Sequence, residues 1–166
     1  MINQIKIENL LNSSISELSK LLNCNLGLDI TKSFYINTNI ICGDLLGKKY
    51  SSVALFTDEN NLVNSISIRF NCVFEEIYYE KLIEEYGNPD SILIKPNEDI
   101  INKTKTVLNE NLSHDFSQKL TKSTFNLVHG TLDQNPLLVI WNLYDFQIKI
   151  IRRYNSNINN IIFSRN

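Results

Sequence analysis

The stretch from Ser51 to Pro89 constrains this chain most, because it spells a β-hairpin followed at once by a helix. Ser51–Phe56 and Leu62–Phe70 read as strands, joined by Thr57-Asp-Glu-Asn-Asn61, a polar loop of suitable length for a hairpin. In the second strand Leu62, Ile66, Ile68 and Phe70 fall on one face, and Ser65, Ser67 and Arg69 on the other. Such alternation belongs to an antiparallel sheet that is buried on a single side. The spacing then predicts a helix from Phe74 to Tyr86, with Tyr78, Tyr79, Leu82, Ile83 and Tyr86 as one stripe for packing on that sheet. Gly87 is placed to end it in the left-handed region, and Pro89 forbids continuation.

Weaker signals flank this unit. Ser14-Ile-Ser-Glu17 is a capping box, in which each side chain can bond the other residue's amide, so a helix starts there. Ile15, Leu18, Leu21 and Leu22 give it an apolar face, and Asn23 to Asp29, containing Gly27, is expected to end it. Ser33 to Cys42 reads as a strand broken at Gly43. Pro96 to Lys119 is polar, with Ile100, Ile101, Val107, Leu108 and Leu112 at helical spacing, and predicts an amphipathic helix with a second starting near Ser113. Phe125–His129, Leu137–Trp141 and Phe146–Tyr154 read as strands, and Asn159–Arg165 as a short last one.

Two parts of the chain echo each other. Helix 14–22, a strand from Thr31-Lys-Ser-Phe34 and the first hairpin form one unit. Helix 74–86, a strand from Thr121-Lys-Ser-Thr124 and the hairpin Leu138–Trp141 with Phe146–Ile150 form the other. Residues 1–72 and 73–166 would then be halves of a single domain over 1–166, with a helical insertion at 96–120. A hairpin with one helix buries too little surface alone, so the halves are expected to pair their sheets or stack their helices.

Composition narrows the class. Of 166 residues, 43% are hydrophobic and 20% charged, which suits a folded domain and not a disordered one. The net charge of −2 supplies no field toward nucleic acid or anionic membrane. MINQIKIENLLNSS lacks the basic start and apolar run of a signal peptide, and no stretch reaches the roughly 20 apolar residues of a membrane span. Cys24, Cys42 and Cys72 are odd in number and never form C-x-x-C, which points to free thiols in a reducing, cytoplasmic setting.

A helix closing in Tyr86-Gly87-Asn88-Pro89, beside strands joined by Phe56-Thr-Asp-Glu-Asn-Asn-Leu62-Val63, resembles the module of small outer-membrane assembly lipoproteins of the BamE/SmpA kind. It is also similar to bacterial immunity-type proteins built on helix-plus-meander units. The likeness spans about half the chain and is carried by turn and cap signals. No lipoprotein Cys stands near the start, so the membrane attachment of that family is not carried over. What the resemblance implies is protein binding, and it transfers no catalytic residue.

Four groups of residues could carry function. Glu76, Glu80 and Glu84 lie at i, i+4 and i+8, with Glu75 and Glu85 beside them and Lys81 in opposition. Like charges four apart destabilise a helix by a few tenths of a kcal/mol. A basic partner would relieve that repulsion and be steered by it, while the plain reading is a solvated face. His114-Asp115, with His129 downstream, offers an imidazole and a carboxylate, but adjacent side chains on a helix point about 100° apart. Catalysis or metal binding there needs further ligands or a nucleophile from elsewhere. Cys72 precedes a helix, where the dipole can lower a thiol pKa, yet it fits equally as a small apolar residue at a strand end. Lys149, Arg152, Arg153 and Arg165, near Trp141 and Tyr154, could grip single-stranded nucleic acid, although Trp141 sits in an apolar run that reads as core. Nucleotide-binding, hydrolase and zinc-protease templates are absent.

The sequence therefore predicts an α+β fold: an antiparallel sheet covered on one face by helices. The expected function is non-catalytic binding of another protein, of the immunity or inhibitor type, in a bacterial cytoplasm. The ridge Glu75, Glu76, Glu80, Glu84 and Glu85 would face a basic surface, such as the substrate groove of a toxin acting on nucleic acid. No metal, cofactor or membrane is expected, nucleic acid is disfavoured, and the oligomeric state is open. The alternative is a small enzyme or ligand-binding domain using His114, Asp115 or Cys72 in a pocket between helices and sheet.

Overall fold

The computed structural model describes residues 6–21, 27–28, 34–37, 44–96, 126–153 and 156–166. They form an α+β protein that is mostly antiparallel sheet. In chain order the elements are α1 (Ile15–Leu21), β1 (Gly27–Leu28), β2 (Phe34–Asn37), β3 (Asp44–Leu45), β4 (Lys48–Lys49), β5 (Ser52–Thr57) and β6 (Val63–Phe70). Then come α2 (Glu76–Tyr86), β7 (Ser91–Ile94), β8 (Val128–His129), β9 (Leu138–Asn142), β10 (Phe146–Arg152) and β11 (Asn159–Arg165). Short 3-10 turns occupy Ile7–Leu10 and Leu132–Gln134.

Nine of the strands make one sheet in the order β1-β2-β5-β6-β11-β10-β9-β7-β8, with β3 and β4 as a separate two-stranded hairpin. Every pairing is antiparallel. The order is organised about the central β6–β11 pair. On one side β5, β2 and β1 follow in reverse chain order, and on the other β10, β9 and β7 do the same. Each side is thus a meander that trails a helix, and the last strands of the two meanders pair with each other.

The core lies along two cross-strand rows. Val53, Ile68, Ile161, Ile150 and Val139 pair in sequence across β5, β6, β11, β10 and β9, and Leu55, Ile66, Phe163, Ile148 and Trp141 form the next row. All ten are buried. Period-two alternation puts them on one face of the sheet, so ladder hydrogen bonding and apolar burial are met by the same residues.

Helix α2 meets this face through aromatic side chains. Phe74, just before it, lies edge-on to Phe70 at 4.9 Å, and Tyr86 approaches Phe163 at 6.2 Å and Phe146 at 6.4 Å. Contacts of this kind add roughly 0.5–1.5 kcal/mol each beyond burial. The Trp141 indole donates to the Gly87 carbonyl at 2.7 Å, which pins the helix end to β9. Leu18 of α1, 1% exposed, joins the same cluster. The capping box forms: the Ser14 amide donates to Glu17 Oε2 at 2.9 Å and the Glu17 amide to Ser14 Oγ at 3.3 Å.

Several expectations are corrected. Val63, not Leu62, is buried with Ile66, Ile68 and Phe70, because the β5–β6 register shifts between Phe56 and Thr57 and inserts Asn64 as an extra residue. Gly87 has positive φ (81°) but an extended ψ of −174°, which sends the chain toward Pro89 and β7 rather than into a left-handed turn. Gly27, expected to end α1, stands in β1. The strand that follows α2 is β7, Ser91–Ile94, which the sequence reading missed; Thr121–Thr124 and residues 97–120 of the proposed insertion lie outside the described residues. β7 is only four residues between two prolines, too short to show a period. Asn159–Arg165 forms the last strand as read, and the structure places it at the sheet's centre, between β6 and β10.

Candidate functional site

The acidic ridge is where the sequence places it, on the outer side of α2. Glu75, Glu76, Glu80, Glu84 and Glu85 are all exposed. The neighbouring lysines are committed elsewhere. Lys81 donates to the Leu46 carbonyl at 3.2 Å, and Lys48 sits 5.7 Å from the Phe74 ring centre and 5.3 Å from that of Tyr78. Both contacts are arranged by the β3–β4 hairpin, whose turn residues Leu46 and Gly47 take positive φ (52° and 82°), as a tight two-residue hairpin turn requires. The Tyr78 hydroxyl donates to Leu45 O at 3.0 Å and holds the hairpin against the helix. Glu85 pairs with Lys6, whose pKa is raised by that hydrogen bond and charge. Glu76, Glu80 and Glu84 have no ion pair or hydrogen bond with the described residues.

One residue of this surface escaped the sequence reading. Ile77 is 60% exposed and stands among the ridge carboxylates. At 100° per residue it lies opposite the stripe of Tyr78, Tyr79, Leu82, Ile83 and Tyr86. The available signal was that it is the one aliphatic residue of the helix off that stripe.

The other candidates are dispersed. Cys72 is a half-buried free thiol whose carbonyl accepts from Asn159 Nδ2 at 2.8 Å. His129 is exposed on the edge strand β8, while Cys24, Cys42, His114, Asp115 and Tyr154 lie outside the described residues. The basic residues do not converge. Lys149 and Arg152 alternate onto opposite faces of β10, Arg153 is exposed beyond its end, and Arg165, at the far end of β11, pairs with Asp58 at 3.3 Å. Trp141, 1% exposed, is core.

Two open clefts occur on the described surface, of ≈330 and ≈540 Å³. The first is lined by Lys95, Gln134, Asn135, Leu137, Arg152, Ser156 and Asn157, the second by Thr57, Asp58, Glu59, Asn60 and Asn64. Neither includes Cys72 or lies between α2 and the sheet. Among the described residues, no group of three or more His, Cys, Asp and Glu is placed to hold a metal, and no helix is long and apolar enough to cross a membrane. The shifted phenols are structural: burial pushes Tyr79 up to about 12 and raises Tyr78 and Tyr86 as well, with Cys72 and Asp44 adding at Tyr78 and Glu8 and Glu85 at Tyr86. No protein-family model, curated protein or solved structure matches this chain.

Proposed function

We propose that this protein is a non-catalytic binding module of the immunity or inhibitor type, acting in the cytoplasm by covering a basic surface of a partner protein. In this reading the helices form one layer over one face of the sheet, and the outer side of α2 is the contact surface. The observation that carries it is that Glu76, Glu80 and Glu84, beside exposed Ile77, have no ion pair or hydrogen bond with the described residues, while Lys81 and Lys48 are tied back to the β3–β4 hairpin. An apolar anchor ringed by charge is the usual anatomy of a protein interface. The repulsion within the ridge is relieved when a cationic surface such as a toxin's nucleic-acid groove arrives.

The test is association kinetics with a partner recovered by co-purification from the native host. E76K/E80K/E84K is expected to slow association by about tenfold or more and to flatten its salt dependence, and I77D to speed dissociation. Unchanged binding by both variants would remove α2 from the interface.

A further inference from the structure

The sheet has a second face, and its chemistry is unlike the rest of the surface. Opposite the core rows, the cross-strand sets are Ala54, Ser67, Ile162, Lys149, Ile140 and Ser91, then Ser52, Arg69, Asn160, Ile151, Leu138 and Leu93. A third set, Phe56, Ser65, Ser164, Gln147 and Asn142, completes the surface. None of these side chains belongs to the buried core. The nine strands of the sheet contain no Asp or Glu at all. The acids of the described residues sit instead in α1, α2, the 3-10 turns, the small β3–β4 hairpin and the loops.

Two cations stand in this acid-free field. Arg69 and Lys149 lie two strands apart, about 10 Å across the sheet, with Ile162 and Asn160 on the strand between them. Neither is ion-paired with the described residues, and Arg69 Nε is buried without an acceptor. Arg69 as a whole is only partly covered, so a carboxylate that reaches its outer guanidinium nitrogens would pair the charge. Six strands of this length present on the order of 500 Å², somewhat below one partner's share of a standard protein interface.

We infer that this face is a second docking surface, for a protein segment that brings carboxylates to Arg69 and Lys149 and apolar side chains to Leu138, Ile140, Ile151 and Ile162. The molecule then offers two contact surfaces of opposite sign, the acidic outer side of α2 and this cationic, apolar sheet face. Protein is favoured over nucleic acid because only two cations are present and their central neighbours are aliphatic. A stacking platform would interleave aromatics with a longer basic track. This inference does not depend on the ridge being functional.

The test is selection of a random 12-residue peptide display library on the whole chain, with R69E/K149E as counter-target. Enriched sequences should combine Asp or Glu with aliphatic or aromatic residues. They should bind R69E/K149E at least about tenfold more weakly and E76K/E80K/E84K as well as the unaltered chain. K149E alone, at a half-exposed site, serves as the variant least able to disturb folding and should show part of the loss. Enrichment of basic or uncharged peptides, or equal binding by both charge-reversed sheet variants, would overturn the proposal. So would tighter binding of a random single-stranded DNA, self-association lost in R69E/K149E, or Lys149 already shielded from acetylation in the free chain.

Discussion

The two faces of strands β6, β10 and β11 differ in everything except backbone. On one face they present Ile66, Ile68, Phe70, Ile148, Ile150, Ile161 and Phe163, all buried. On the other face the same strands present serine, asparagine, glutamine, isoleucine and two cations with no ion pair among the described residues, most of them half-exposed. The hydrogen-bond ladder is common to both faces and discriminates neither. The fully buried apolar side chains of these strands therefore lie on one face, and the other carries a mixed, partly exposed chemistry.

Adjacent residues of β11 test this difference most severely. Phe163→Ala should cost about 3–5 kcal/mol, because a large buried ring leaves a cavity against Tyr86 and Phe146. Ile162→Ala, one residue away on the opposite face, should cost about 1 kcal/mol. Urea unfolding of the two variants measures both, and equal losses would mean that the second face is also core.

Alkali should act through the phenols of α2. The phenols of Tyr78, Tyr79 and Tyr86 have folded pKa values raised by burial above their ordinary value near 10. A raised folded pKa means that the unfolded chain loses these protons first. The stabilisation is complete below pH 10 and is lost progressively as pH rises toward about 12 and beyond. Denaturant midpoints should therefore fall across that window, and Tyr79→Phe should reduce the fall.

A smaller effect is expected at the end of α2, where the chain turns toward β7. Gly87→Ala should cost about 1–3 kcal/mol, because φ of 81° with ψ of −174° suits glycine almost exclusively. A Cβ there meets nothing within 4 Å, so the loss would be one of backbone strain and not of packing. An unaffected stability would show that the segment leading into β7 relaxes freely.

Much of this was legible in the chain. The Ser51–Pro89 unit shows its hairpin, its helix and its stop because each signal is local: alternation at period two, a stripe at period 3.6, a glycine and a proline at one end. The Ser14–Glu17 cap is equally local and forms as read. The acidic ridge and its exposure also follow from helical spacing. β7 is not announced because a serine and three apolar residues are too few to carry a period, and Val63 replaces Leu62 because a bulge reverses the alternation at a single point. Ile77 falls outside the apolar stripe, so the period that announces the helix says nothing of it.

Sequence by itself thus fixed the elements whose side chains report their own environment, along with the sign of the charge on α2. Tertiary structure alone decided that the last strand, β11, sits at the middle of the sheet and joins the two meanders. It also decided that Arg69 and Lys149 share one acid-free face and that Lys81 and Lys48 are drawn away from the ridge. The physical reason is common to all of these. Cross-strand neighbours are set by register over separations of dozens of residues, and no local period encodes which strand will lie beside which.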